Sequence, residues 1–391
     1  MMRVYLHGLG VLNALGAGEA AVRAGLKAGS TSGMVLRQDF IAGRPVRVGV
    51  VDAPLPVLGA EWASYDSRNN RLLAAALDQI RPRVDAAISQ YGPKRVGVVL
   101  GTSTSGIAEG ERALKVYEGD ATLSKEYDYR QQEISSPSEY LRRTLKLRGP
   151  AWTVSTACTS SAKALSSARR LIAAGLCDAV ITGGVDTLCR LTLNGFAALE
   201  SVSRDHCNPF SRNRDGINIG EAAALFLMSR ELGPVAVLGM GESSDAYHIS
   251  GPDPEGRGAE IALRAALAEA EVKSVDYLNL HGTATPQNDF MESQVVNRVL
   301  GPEVPCSSTK PLVGHTLGAA GATEIAFCSM LLTEPQAAPL PPHVWDGVAD
   351  PALAPLHLCS KGDAAKHCQT VASNSFAFGG NNACIVLGRE A

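Results

Sequence analysis

Apolar positions along the chain fall into two alternating rhythms, short β-branched runs closed by glycine and longer segments with helical spacing. The runs at 3–10, 95–100, 152–155, 179–182 and 277–280 predict strands. The helical spacings predict helices at about 67–88, 158–174, 258–270, 291–300 and 317–332. Strand and helix alternate, so a layered α/β fold follows. Residues 370–376 and 383–387, separated by a Gly-Gly turn, predict a closing hairpin. The stretch 109–139 is polar and reads as mobile, and the proline-rich 334–342 reads as a surface connection. Two runs, 3–10 and 234–241, both end in Gly-x-Gly, which divides the chain into related halves, 1–233 and 234–391. The predicted helix after Cys158 is rich in Ala and Ser, which suits close packing against other helices.

With 391 residues and 45% hydrophobic content, the chain has ample material for one large or two medium cores. A net charge of −3 argues against a main task of binding nucleic acid or an anionic membrane. The first residues reach a histidine and glycines too early for a signal-peptide core, and no apolar run is long enough to span a bilayer, so a cytoplasmic protein is expected. Nine cysteines with no C-x-x-C pair fit neither a disulfide framework nor a zinc knuckle.

One cysteine has a special setting. Cys158 lies between a predicted strand and helix, where free N–H groups and the helix dipole should lower its pKa and present it as a nucleophile. The alternative is a buried thiol beside a Ser/Thr cap. His281 follows the 277–280 strand in a Gly/Thr/Pro turn, and His315 precedes a helix in another. Taken singly, each fits a hydrogen-bonded structural residue better than a catalytic one. His206, His248, His343, His357 and His367 lack such settings. A thiol with two turn-borne imidazoles suits acyl chemistry, in which negative oxygen must be stabilised on a tetrahedral adduct and on an enolate.

Five blocks carry a resemblance: Thr156 to Lys163; Asn208-Pro209-Phe210-Ser211-Arg212 onward to Ala223; His281-Gly282-Thr283-Ala284-Thr285-Pro286; Lys310-Pro311-Leu312-Val313-Gly314-His315 onward to Ala322; and Asn374-Ser375-Phe376-Ala377-Phe378-Gly379-Gly380-Asn381. Together and in this order they resemble the β-ketoacyl-acyl carrier protein synthases of the elongating class. The resemblance implies a thiolase-like fold, two pseudo-symmetric halves in five α/β/α/β/α layers, and a decarboxylative condensation of an acyl group with malonyl-acyl carrier protein. It also implies roles. Cys158 holds the acyl group, and His281 and His315 stabilise the enolate. Lys310, paired with Glu324, tunes them, and Thr283 and Thr285 support the site. Ala377, Phe378, Gly379 and Gly380 form a gate, and the backbone N–H groups of Cys158 and Phe378 an oxyanion hole. Phe376 is assigned to the core.

Departures from the family pattern, Ala377 for Gly, Asn381 for Thr, Asn288 for Gly and Lys163 near the cysteine, suggest a specialised branch such as aryl-polyene or polyketide-type synthesis. Partners implied are acyl carrier protein and either a second copy or a cysteine-lacking chain-length factor. Ala377 could add about 1–2 kcal/mol of strain if the gate forced a positive φ there. No nucleotide cofactor is expected: Gly8-Leu9-Gly10 lacks a third glycine, and 101–106 lacks the Lys-Ser/Thr of a P-loop. A metal is not expected either, since His281 and His315 lie on separate turns. A degradative thiolase and a non-catalytic chain-length subunit are the competing readings. The first would need a second reactive cysteine, and the second would not need Cys158, His281 and His315 together.

Overall fold

The strands Val96–Gly101, Ala179–Asp186 and Ala222–Ser229 are buried along their whole length, which is why they read as unbroken apolar runs: both of their faces are covered. The computed structural model describes residues 3–390 except 121, 125, 335 and 336. Its main sheet has 12 strands: ten form two equivalent sets of five, and two short ones are added, Gly16–Ala17 beside the first strand and His357–Leu358 at the edge of the second half. In chain order the first half contributes Val4–Asn13, Val96–Gly101, Ala151–Val154, Ala179–Asp186 and Ala222–Ser229. The second contributes Val235–Ser244, Tyr277–Asn279, Pro305–Ser307, Thr370–Ala377 and Asn381–Arg389. Counted within each half, the spatial order is 3-2-4-5-1 in both, with the same parallel and antiparallel pairings. The two first strands pair antiparallel in the middle, Val4 opposite Val237. The repeated Gly-x-Gly runs are therefore equivalent strands.

Helices fill the layers between and outside these halves. Arg68–Tyr91 packs on the outer face of the first half and Arg257–Glu269 on that of the second, while Ser160–Ala173 and Ala320–Leu332 lie between them. This gives the expected α/β/α/β/α order. All residues of Ala320–Leu332 are buried, because that helix has sheet on both sides. Small residues let the two central helices touch, with Ala322 N donating to Ser161 Oγ at 2.9 Å. Gly101 has a similar role: a Cβ there would lie 2.3 Å from Ser161 N, so only glycine lets the helix after Cys158 start against the end of the strand.

Several expectations need correction. The first strand does not stop at Gly10; it bulges between His7 and Gly10 and continues to Asn13. The 179–182 strand runs on through its two glycines to Asp186. The supposedly mobile stretch 109–139 carries the helix Ile107–Asp120, a turn at Tyr129–Gln131 and the start of Ser136–Thr144. Its polar composition reflects a narrow buried stripe: among the described side chains of that helix only Glu109, Gly110 and Ala113 are buried, and the others are half-buried or exposed. The 291–300 helix starts earlier, as Pro286–Leu300, with proline at a favoured first position. In the 334–342 connection Pro335 and Gln336 lie outside the described residues, but Ala338–Pro339 pairs with Ala364–Ala365, and Ala338 and Leu340 are buried. Among the described residues, no helix is long and apolar enough to cross a membrane.

Candidate active site

The chain turns sharply after the Ala151–Val154 strand, with Ala157 held at φ 51°, and Cys158 follows that residue. The helix begins at Ser160, two positions later than the pattern predicts. Positive φ at a non-glycine residue is strained, and such strain clusters at functional turns. His281 leaves the strand Tyr277–Asn279 in a loop fixed by Glu292. That carboxylate accepts from His281 N at 2.8 Å, from Gly282 N at 2.7 Å and from Asn374 Nδ2 at 3.2 Å. Burial pushes the Glu292 carboxyl up to about 7. His315 is fixed through its backbone: its N–H donates to Asn218 O at 2.6 Å, and its carbonyl accepts from Gly220 N at 3.0 Å.

These three elements converge on one cavity, lined by Cys158, His281, His315, Thr283, Thr285 and Phe378 among others. Cys158 Sγ and the nearest ring nitrogens of the two histidines all lie within 4.8 Å of one another. The imidazole rings meet edge to face, with centroids 5.4 Å apart. Separation along the chain, the ground on which a metal was set aside, is therefore no guide to separation in space.

The tautomers follow from the hydrogen bonds. Leu317 N donates to His315 Nδ1 at 3.3 Å, so the neutral ring carries its proton on Nε2, 3.0 Å from Cys158 Sγ. Lys310 Nζ lies 3.4 Å from His281 Nδ1 and also donates to the His281 carbonyl, which leaves Nε2 as the protonated nitrogen of that ring too. Burial first, and the Lys310 charge second, hold both histidines well below the usual imidazole range. At neutral pH both are neutral N–H donors facing one cavity.

Lys310 Nζ donates to Glu324 Oε1 at 2.6 Å, and both side chains are buried. Burial raises the Glu324 carboxyl, with the Lys310 charge opposing. Lys310→Met would leave Glu324 without its counter-ion, and we expect a loss of about 3–5 kcal/mol in stability. Chemical denaturation checks this, and Lys310→Met with Glu324→Gln should recover much of the loss.

The expected lowering of the thiol pKa is not found. Burial pushes Cys158 up to about 12, outweighing the attraction of Lys310. The helix entrance gives little help because its first N–H groups are used locally: Ser160 N donates to Ala157 O at 3.1 Å and Thr159 N to Thr156 O at 3.4 Å. Alkylation of Cys158 by iodoacetamide should therefore rise roughly tenfold per pH unit from about pH 7 to about pH 9, without a plateau, as the thiolate fraction grows. A rate levelling off below about pH 8 would contradict the burial argument.

Thr283 and Thr285 line the same cavity, with hydroxyls 2.9 Å apart. Phe376 is buried and its ring lies 5.7 Å from His281, while Phe378 is partly exposed and lies 5.4 Å from Phe196. At the end of the strand Thr370–Ala377, Ala377 is extended at φ −141°, so the strain considered there does not arise. In the loop that follows, Gly379 and Gly380 take φ 79° and 73° instead. Two of the departures touch: Lys163 Nζ donates to Asn381 Oδ1 at 2.7 Å, tying the helix after Cys158 to the end of this loop. Among the described residues Cys158 is the only cysteine lining the cavity, so no second thiol of the thiolase kind faces it.

Three supporting residues were missed in the sequence. Glu292 is one. Asp186 is another: it accepts from Thr102 Oγ1 at 2.6 Å, Thr104 N at 2.8 Å and Ala319 N at 3.2 Å, joining the loop beside Cys158 to the turn after His315. His343, set aside for lack of context, accepts from Ser308 N at 3.1 Å, and its Nε2 meets Pro209 O at 2.9 Å. Only Asp186 left a trace, as a charged residue ending a buried strand.

Comparison with known proteins gives a consistent result. Residues 71–232 match the family described as Beta-ketoacyl synthase, N-terminal domain, and residues 235–343 match Beta-ketoacyl synthase, C-terminal domain. The 3-oxoacyl-acyl-carrier-protein synthase 2 of Rhizobium meliloti (strain 1021) is 30% identical, over 100% of this chain and 99% of its own length. Nodulation protein E of the same organism is 29% identical over 98% of each. A solved ketosynthase (ApeO), in complex with its chain length factor (ApeC), from Xenorhabdus doucetiae superposes with TM-score 0.95 at 46% identity, covering 100% of this chain and 98% of that one.

Proposed function

Because the chain belongs to the β-ketoacyl synthase family, we propose that it condenses an acyl group with a malonyl group, both delivered as thioesters on acyl carrier protein. The observation that carries this reading is the meeting of Cys158 Sγ with the two imidazoles within 4.8 Å on one cavity. In the first step Cys158 sulfur bonds to the acyl carbonyl, and the carrier's C–S bond breaks. The thiol proton leaves with the carrier thiol, and the His315 Nε2–H faces the sulfur as charge develops on it. In the second step the malonyl C–C bond to carboxylate breaks, and its electrons pass to the thioester oxygen as an enolate. The Nε2–H groups of His281 and His315 stabilise that oxygen as two neutral donors. The enolate carbon then attacks the acyl-Cys158 carbonyl, giving a β-ketoacyl thioester two carbons longer, with CO2 released and the Cys158 sulfur expelled as a thiolate that takes a proton from solvent to restore the thiol.

Lys310 favours the neutral form of both rings through its charge, and Glu324 balances that charge. Phe378 and the loop through Gly379 and Gly380 form the gate, with the backbone N–H groups of Cys158 and Phe378 as the oxyanion hole. We divide the chain at 233/234, so that the first half supplies the nucleophile and the second the two histidines and the gate. The nine cysteines are free and buried, which supports a reducing, cytoplasmic setting.

The ketosynthase from Xenorhabdus doucetiae is described in complex with a chain length factor. We infer a similar assembly, with a partner of the same fold, in a polyene- or polyketide-type pathway. The strand Ala151–Val154 ends the sheet, and Trp152 on it is 37% exposed, which supports pairing across this edge. Trp152→Asp should convert the assembled protein to monomer by mass photometry; an unchanged mass would contradict pairing at this edge. The function itself is tested by incubating the protein and its partner with acyl- and malonyl-acyl carrier protein. A β-ketoacyl product, detected as an intact carrier adduct, supports the reading, and unreacted acyl carrier with no CO2 released would overturn it.

A further inference from the structure

Asn288 sits in the first turn of the helix Pro286–Leu300, is 7% exposed and lines the cavity that holds Cys158, Thr283 and Thr285. Its amide orientation is set from behind. Nδ2 lies 3.1 Å from Asp289 Oδ1 and 3.5 Å from Glu292 Oε2. An amide nitrogen only donates and these carboxyl oxygens accept, so the nitrogen faces them and the carbonyl oxygen faces the other way. Among the described residues that Oδ1 has no hydrogen-bond partner, and it is absent from the buried unpaired atoms, so it opens on the cavity.

Glu292 also accepts from His281 N and Gly282 N. Glu292 thus fixes the histidine loop and lies, with Asp289, on the nitrogen side of the Asn288 amide, which leaves the carbonyl facing the reacting groups. The two imidazole N–H groups in the cavity offer no acceptor, and the hydroxyls of Thr283 and Thr285, 2.9 Å apart, already share one hydrogen bond. The Asn288 carbonyl beside them is an acceptor with no partner of its own, and an amide N–H left unpaired in a buried site is costly.

Resting on the condensing reading, we propose that Asn288 is a further substrate-binding residue whose side-chain carbonyl accepts a hydrogen bond from the amide N–H nearest the thioester in the carrier's arm. The juxtaposition that supports it is an oriented, unpaired carbonyl on the same cavity wall as Thr283 and Thr285. Since the contact holds the arm and not the reacting carbons, it acts on binding.

The test uses the assembled enzyme and two acyl donors: an N-acetylcysteamine thioester, and its counterpart in which an ester oxygen replaces the amide N–H. For the wild type, KM should rise about tenfold on removing the N–H, with kcat unchanged, as one buried hydrogen bond predicts. Asn288→Ala should raise KM for the amide donor to a similar level and no longer distinguish the two donors. Asn288→Ser, which keeps a small polar group against Asp289, should also lose the discrimination. A wild type that does not discriminate, or variants that discriminate as the wild type does, would overturn the proposal. Wild-type enzyme that forms no acyl-Cys158 from the amide donor would instead overturn the condensing reading beneath it, and this proposal with it.

Discussion

Cys158→Ala is expected to lose acyl loading and condensation by at least about 10⁴-fold while remaining folded. The loss is large because the acyl group has no other place to wait: among the described residues no second cysteine lines the cavity. The fold survives because the substitution removes a single buried sulfur, a change worth about 1 kcal/mol. His315 keeps its place through its backbone bonds to Asn218 and Gly220, which do not involve Cys158. Intact-mass loading and thermal unfolding together check the prediction. Residual condensation at a tenth of the wild-type rate would remove Cys158 as the acyl carrier.

The second large effect separates the two histidines. His281→Ala and His315→Ala should each slow malonyl decarboxylation by about 10²–10³-fold, the cost of losing one donor to a developing oxyanion. They should differ in the first half-reaction. His315 Nε2 lies 3.0 Å from the sulfur, so His315→Ala should also slow acylation, whereas His281→Ala should leave most of it intact. The comparison needs two readouts, CO2 release from malonyl carrier and acyl loading of the protein. Equal acylation defects in both variants would contradict the special place of His315 beside the sulfur, and full condensation in either would contradict the enolate role.

The residues of the site differ in how far the sequence revealed them. Cys158, His281 and His315 stand where a strand ends or a helix begins, flanked by Gly, Thr and Pro, and such local settings are visible along a chain. The alternation of strand and helix, and the echo between the two first strands, were legible for the same reason. Glu292, Asp186 and His343 were not, because each acts through hydrogen bonds to residues far away in the chain. Asp186, for example, reaches Thr102, Thr104 and Ala319 at once. The sign of the Cys158 shift was misjudged for a related cause: a helix entrance is a local feature, but the burial that outweighs it depends on what the whole chain packs around the thiol. In 109–139, a helix with only a narrow buried stripe carries too weak a pattern to distinguish it from a polar loop.

Lys310 and Glu324 link the packing of the site to its electrostatics. They stand 14 positions apart, on either side of His315, and their pairing places a fixed positive charge next to His281. That charge opposes protonation of both rings, so they remain donors where a free imidazole would be half-charged. Packing thus sets the electrostatics, and the electrostatics set which oxygen the site can hold.

The central claim is that one thiol of nine carries the growing chain. Loading the assembled enzyme with an acyl carrier thioester, followed by protease digestion and peptide mass spectrometry, tests it most directly. An acyl adduct is expected on the peptide containing Cys158 and on no other cysteine. An adduct on a different cysteine, or a loaded protein with Cys158 unmodified, would contradict it.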